Sequence, residues 1–459
     1  MEPVSGLRFV VVGAGRSGVA LTRFLLARGG EVILSDARTE GLSAEVAELG
    51  RRKVRLELGG HDEESFISAD RVLVSPGVPL DIPPIRAARK AGVTVWGEIE
   101  FASRFLKGRI IGITGTNGKS TTTTLTCDLL TGGGLDAEAC GNLGTPLIEL
   151  AERDSTERTY VVELSSFQLE GIETFRPDVA VLLNVAPDHQ DRYSHHAAYR
   201  LAKGRIFENQ RPLDRAVLNR DDPESFGFKA DVAAKVLLFS RLEEVSDGAC
   251  LEEGSVVVRR SGRTQKVLPV DQVPLVGIHN LENVLASVTA ADLCGVPPAS
   301  MAAAIRAFKG LPHRIELVAE IGSVRYYNDS KATNVAATAR SLESFSGGVV
   351  LILGGKDKGG DFASLIPLLR ERAAGLVLMG KAREEIGSQI GEPVPTRKVV
   401  TMQDAVVAAR EMASPGQVVL LAPGCASFDA YRNFEERGED FRSRVRALEK
   451  DGSASERGA

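Results

Sequence analysis

The stretch from Arg109 to Thr121 leaves this chain little freedom. An apolar strand, Arg109-Ile110-Ile111-Gly112-Ile113-Thr114, breaks into Gly115-Thr116-Asn117-Gly118, and Lys119-Ser120-Thr121 then opens a Thr-rich helix. Strand, glycine loop and helix in that order let backbone amides and a lysine cradle the β- and γ-phosphates of a nucleotide such as ATP, while a serine hydroxyl reaches Mg²⁺. The strict spacing would need Gly where Ile113 stands, so this is a variant phosphate loop.

The rest of the chain repeats the strand–helix alternation. At 459 residues it exceeds one compact core, and the 47 glycines suit α/β architecture with many turns. Strands are expected at 7–12, 31–35 and 71–75, then 109–114, 160–164 and 179–185, and finally 324–328, 349–353, 376–379 and 418–421. A helical run is expected at 195–209, and short β-like pieces between 211 and 275, such as 255–258. Such βαβ alternation implies parallel sheets. The expected organisation is a Rossmann-like domain over 1–98, a central phosphate-loop ATPase-type domain over 99–310, a second Rossmann-like domain over 311–450 and a disordered tail over 451–459.

Other motifs sit at strand ends. Gly13-Ala14-Gly15-Arg16-Ser17-Gly18 follows the first strand and Asp36 the second, a dinucleotide-type fingerprint. That pattern alone also fits a tight turn with no ligand. Glu163-Leu164-Ser165-Ser166-Phe167-Gln168 and Asn184-Val185-Ala186-Pro187-Asp188-His189 place a carboxylate and an imidazole after strands downstream of the phosphate loop, where the carboxylate suits Mg²⁺.

Charge and composition exclude several classes. The net charge of −5, with 56 Lys and Arg against 61 Asp and Glu and no basic block, leaves no footprint for nucleic acid. Apolar runs are strand-length, and the first six residues lack a cationic and apolar leader, so neither secretion nor a membrane span is expected. The five cysteines, Cys127, Cys140, Cys250, Cys294 and Cys425, are widely spaced, which fits free thiols in the cytoplasm.

Taken together, Thr114 to Ser120, Glu163 to Gln168, Asn184 to Asp191, Gly277-Ile278-His279-Asn280-Leu281-Glu282-Asn283 and Pro312-His313-Arg314 resemble the Mur ligases, the amino-acid-adding enzymes of peptidoglycan synthesis, over nearly the whole chain. Within that family, Asn328-Asp329-Ser330-Lys331-Ala332-Thr333-Asn334, Cys425-Ala426-Ser427-Phe428-Asp429 and Asn433-Phe434-Glu435-Glu436-Arg437-Gly438 are similar to the D-glutamate-adding branch.

The resemblance implies a monomeric ligase acting on ATP, UDP-N-acetylmuramoyl-L-alanine and D-glutamate through an acyl phosphate, with two Mg²⁺ ions. It would give ATP the residues Gly115, Thr116, Asn117, Gly118, Lys119, Ser120, Thr121, Asn283, Arg314 and Asp329. Ser120 and Glu163 would hold one metal, and His189 with a carbamylated Lys203 would serve the second and the reacting acyl phosphate, making Lys119, His189 and Lys203 the catalytic set. Ser17, Asp36, Ala37, Ser75, Gly77 and Asn142 would bind the UDP substrate; Ala37 replaces the family's usual Thr, so the uracil contact would be partly main-chain. Thr333, Lys358, Ser427 and Phe434 would form the D-glutamate pocket, with Lys356 an alternative to Lys358.

A nicotinamide oxidoreductase would leave Lys119 unexplained, and a phosphate-loop switch would leave the third domain without a role. Another Mur-type or a folylpolyglutamate-type amide ligase remains the nearest alternative, although the latter would lack the nucleotide-type domain ahead of the phosphate loop.

Overall fold

The computed structural model describes residues 2–52, 54–188, 192–193, 195–357 and 359–455. It contains three sheets in two compact units.

The first unit comprises residues 1–273 with 281–308. Its first sheet is wholly parallel, in the order β3-β2-β1-β4-β5, from β1 (Arg8–Val12), β2 (Glu31–Asp36), β3 (Arg55–Leu58), β4 (Arg71–Val74) and β5 (Thr94–Gly97). Phe9 and Val11 face one buried cluster while Val10 and Val12 face another, so β1 reads as a continuous apolar run because helices cover both sides.

The second sheet has nine strands: β6 (Arg109–Thr114), β7 (Ala137–Gly141), β8 (Thr159–Glu163), β9 (Val179–Leu182), β10 (Arg215–Asn219), β11 (Lys235–Ser240), β12 (Gly248–Glu252), β13 (Ser255–Arg260) and β14 (Arg263–Pro269). Their order is β14-β13-β12-β11-β10-β9-β6-β8-β7, parallel except for the two hairpin pairings β12–β13 and β13–β14 at one end. That antiparallel end is the region of short β pieces expected between 211 and 275. The strand carrying the phosphate loop, β6, lies between β9 and β8, with Ile113 opposite Glu163.

These two sheets share one core. A single apolar cluster runs from Phe9 and Phe24 through Phe101 and Phe105 to Leu147, Tyr160 and Phe175. The helix Glu98–Ser103 fastens it with two carboxylates: Glu98 accepts the Ile148 amide at 2.9 Å, and Glu100 accepts three amides, from Glu173, Thr174 and Phe175, at 2.8–2.9 Å. The boundary expected near 98 falls on this helix, which is buried in the core the two sheets share.

The second unit comprises 274–280 with 309–459. Its sheet runs β15-β16-β20-β17-β18-β19, from β15 (Glu316–Ile321), β16 (Val324–Asn328), β17 (Val349–Gly354), β18 (Ala373–Met379), β19 (Thr396–Lys398) and β20 (Val418–Leu421), with only β15 antiparallel. Val349, Leu351 and Leu353 face one apolar cluster; Val350 and Ile352 face the other. The short segment 274–280 belongs here because Val276 packs on this core. The last helix, Phe434–Ser455, runs five residues into the stretch expected to lack structure, since extending a formed helix costs far less than starting one and no proline stops it.

Candidate active site

In the first unit, the loop 115–118 joins the carboxyl end of β6 to the helix Lys119–Gly132. Gly118 has φ +83°, and a Cβ there would lie 2.2 Å from Asn283 Oδ1, so only glycine lets Asn283 approach the loop. Asn283 is buried and accepts the Thr122 hydroxyl at 3.2 Å.

The segment after β9 braces the same loop. The Thr116 amide donates to the Asn184 carbonyl at 2.9 Å, and the Asn117 amide donates to Asn184 Oδ1 at 2.9 Å. The Thr116 hydroxyl accepts the Ala186 amide at 3.0 Å and lies 3.3 Å from the Tyr199 hydroxyl. Lys119 folds back, its Nζ donating to the Gly115 carbonyl at 2.8 Å and the Thr116 carbonyl at 3.0 Å. Ser120 and Thr121 are buried in the first helical turn.

Glu163, at the end of β8, is 2% exposed. Its Oε1 accepts Asn142 Nδ2 at 2.7 Å, whereas its buried Oε2 has no hydrogen-bond partner. A buried orphan carboxylate oxygen on the strand beside the phosphate loop fits a hard divalent cation. Among the described residues no group of three or more His, Cys, Asp and Glu gathers into a metal cluster. A Mg²⁺ bound mainly by phosphates and water needs only one or two protein oxygens, so the Glu163 and Ser120 pair remains adequate.

Lys203 is 1% exposed on the helix His196–Gly204. Its Nζ donates to the Gly115 carbonyl at 2.8 Å and stands 4.5 Å from the centre of the Tyr199 ring. Burial, and next the charge of Lys119, push this amine well below the ordinary lysine range, with Asp188 opposing. His189 lies outside the described residues. Tyr199 was missed in the sequence; its spacing of four from Lys203, which puts both on one helix face, was the available signal.

The first-sheet loop is held from within. Asp36 Oδ2 accepts the Ala14 amide at 2.7 Å, and both oxygens accept from Arg38, at 2.8–3.0 Å. The Arg38 side chain, and then the Ala14 amide, hold this carboxyl far below the usual carboxylate range in spite of its burial. The acid of the fingerprint thus fastens its own loop. Ser75 likewise donates to the Gly13 carbonyl at 3.0 Å. Ser17 is half-buried, and Ala37 and Gly77 are exposed. Arg16 Nη1 donates to the Gly144 carbonyl at 2.6 Å, which joins this loop to the one carrying Asn142.

In the second unit, Asp329 follows β16. Its amide donates to the Leu421 carbonyl at 2.8 Å, and its carboxylate accepts the Ser341 hydroxyl. Burial raises its pKa to about 6 against the pull of Ser341 and Arg314. Thr333 is half-buried just before Asn334, which caps the helix Val335–Glu343. Ser427 is buried, and its carbonyl accepts the Ala430 and Tyr431 amides at 3.2 and 2.9 Å. Phe434 opens the last helix, with Lys331 Nζ 4.1 Å from its ring centre. Lys356 exchanges backbone hydrogen bonds with Ala426, and Lys358 lies outside the described residues.

Comparison with known proteins accounts for all three sheets. Residues 7–97 match the MurD-like N-terminal domain of the Mur ligases, 113–291 the Mur ligase middle domain and 313–425 the Mur ligase glutamate ligase domain. The chain belongs to the Mur ligase family. It is 47% identical over 446 residues to the UDP-N-acetylmuramoylalanine–D-glutamate ligase of Geobacter metallireducens, covering 97% of this chain and 98% of that one. It is 44% identical to the ligase of the same name from Acidobacterium capsulatum, covering 97% of each. Among solved structures, the UDP-N-acetylmuramate–alanine ligase MurC of Thermotoga maritima superposes with a TM-score of 0.60 at 18% identity, over 96% of this chain and 100% of that one, a likeness of fold.

Proposed function

We propose that this chain is an ATP-dependent ligase that joins the amine of D-glutamate to the carboxylate of UDP-N-acetylmuramoyl-L-alanine in peptidoglycan synthesis. The observation that carries the reading is the orphan oxygen of Glu163 beside a variant phosphate loop, in a chain nearly half identical to ligases of that name.

Lys119, Ser120 and the 115–118 amides would bind the phosphates of ATP, with Asn283 holding the loop and Arg314 and Asp329 serving the nucleotide. Glu163 and Ser120 would hold Mg²⁺, which neutralises charge on the transferring phosphoryl group. The L-alanine carboxylate takes the γ-phosphoryl group, ADP leaves, and the D-glutamate amine displaces phosphate from the acyl phosphate.

Lys203 deepens this reading. A lowered pKa favours the neutral amine, the form that adds to CO₂: an N–C bond forms, one N–H proton is released, and the neutral amine becomes an anionic oxygen ligand. With His189, that carbamate would serve a second Mg²⁺. Ser17, Ala37, Gly77 and Asn142 would contact the UDP-muramoyl substrate, with Asp36 and Ser75 shaping the loop. Thr333, Ser427, Phe434 and Lys358 would take D-glutamate. The enzyme would act as a monomer in the cytoplasm; no helix among the described residues is long and apolar enough to cross a membrane.

The test is phosphate release from ATP with UDP-N-acetylmuramoyl-L-alanine, comparing D-glutamate with L-glutamate, L-lysine and diaminopimelate. Turnover confined to D-glutamate is expected. Equal turnover with lysine refutes the assignment.

A further inference from the structure

The second unit buries a cation to which none of these roles has been given. Arg437, in the first turn of the helix Phe434–Ser455, is 1% exposed. Its Nε donates to Ser330 Oγ at 3.0 Å, its Nη2 to the Ser330 carbonyl at 2.9 Å and its Nη1 to the Cys425 carbonyl at 3.0 Å. The Ser330 hydroxyl in turn donates to the Phe434 carbonyl at 2.8 Å. All three acceptors of the guanidinium are neutral, and burial draws its pKa down to about 10.

Three loops cross at this side chain. They leave the carboxyl ends of β16, β20 and β17, which are neighbours in the sheet. The Gly424 amide donates to the Ala332 carbonyl at 2.9 Å, and Lys356 and Ala426 exchange hydrogen bonds at 2.9 and 3.1 Å. At Gly355 a Cβ would stand 3.2 Å from Arg437 Nη1. Thr333 is three residues from Ser330, Ser427 is two from Cys425, and Phe434 is three from Arg437 itself.

Joining loops through neutral oxygens requires donors but no charge. An amide or a hydroxyl supplies donors without the desolvation that a buried ion suffers, a cost that the charge of nearby Asp429 offsets only in part at Arg437. The charge has a use where an anion arrives nearby, because a positive potential in a low-dielectric setting reaches past the first layer of contacts.

We infer that Arg437 is a positioning residue for the amino-acid substrate: it fixes the Ser330 and Cys425 loops, and its positive potential favours a dicarboxylic amino acid over neutral or basic ones. The inference rests on the D-glutamate reading of Thr333, Ser427 and Phe434.

The experiment compares the full chain with Arg437→Met and Arg437→Lys by steady-state phosphate release, varying D-glutamate, ATP and UDP-N-acetylmuramoyl-L-alanine in turn. Arg437→Met is expected to raise KM for D-glutamate about 20-fold or more, change kcat less than about fivefold and leave the other two KM values within about twofold. Arg437→Lys is expected to recover about fivefold of that loss, because it restores the charge without the fork.

A folded Arg437→Met with an unchanged D-glutamate KM overturns the inference. So does an equal rise in all three KM values, which marks general damage, or a Lys variant no better than Met. Should Arg437→Met fail to fold, Arg437→Lys decides: a selective rise of about threefold to tenfold in D-glutamate KM supports the inference, and a uniform rise or none overturns it. Wild-type turnover that shows no preference for D-glutamate is a separate result, since it sinks the substrate reading before any variant is compared.

Discussion

Glu163→Gln is the substitution for which stability and activity should move in opposite directions. The change is isosteric, and the retained Oε1 can keep its 2.7 Å hydrogen bond to Asn142. What changes is the orphan Oε2, buried and without a partner, which becomes a neutral NH₂. An unsatisfied buried neutral group costs about 1–3 kcal/mol and a charged one more, so the ligand-free protein should gain about 1 kcal/mol.

For a unit of about 300 residues such a gain raises the melting temperature by about 1.5–2 °C. The magnesium-dependent gain on adding a non-hydrolysable ATP analogue should shrink instead. At a ligand concentration of about 100 times Kd the wild type gains about 2.7 kcal/mol, and a tenfold loss of affinity removes about 1.4 kcal/mol of it. Turnover should fall about 10²–10³-fold, the usual loss when a preorganised charge contact is removed. Differential scanning fluorimetry with and without Mg²⁺ and the analogue, beside phosphate release, measures all three. A variant that melts lower when ligand-free yet keeps the full magnesium-dependent increment would refute the metal role of Glu163.

Three further outcomes are expected. Lys203→Ala should be nearly inactive and partly restored by acetate in the phosphate-release assay, whereas normal turnover without additive excludes the carbamate. Glu98 is buried with a pKa raised to about 7 by burial first, so between about pH 4.5 and 7 the folded protein holds a proton that the unfolded chain has released. Stability contributed by this group is therefore present below about pH 4.5, is lost as pH rises across that window by about 3 kcal/mol at most, and levels off above it; Glu98→Gln should flatten the corresponding slope in melting temperature, and an identical slope refutes the assignment. Glu100→Ala strands three amides and takes from Arg104 the nearer of its two carboxylates, leaving Glu2, so denaturant unfolding should show a loss of about 3–5 kcal/mol, against under 1 kcal/mol for a surface Glu→Ala control.

The expected strands were readable because each is a short apolar run bounded by turn residues, and runs such as Val349 to Leu353 bury both faces, whereas β3, β5, β7, β15 and β19, which carry polar residues, were not among them. The phosphate loop was readable because glycine and lysine chemistry is local. What stayed hidden depends on distant neighbours. Nothing near Asp36 announces that Ala14, 22 residues earlier, takes one of its oxygens, and Arg437 looks like one more charge on an acidic helix start until Ser330, 107 residues earlier, is brought against it. Glu98 and Glu100 stand where one domain was expected to end and the next to begin. Their partners lie 50 or more residues away, at Ile148 and at 173–175, so the fused core could not be inferred from local sequence.

The segment 274–280 has a consequence for recombination between members of this family. The C-terminal matching region begins at residue 313, but a gene cut there does not carry off the whole last module. It would leave behind the seven residues that pack on that module's core, with Val276 among them and Leu275 within 3.3 Å of a Cβ placed on Gly310. A hybrid with a foreign third module must therefore take three junctions, after Val273, before Leu281 and after Phe308, so that the returning segment travels with the sheet it evolved against.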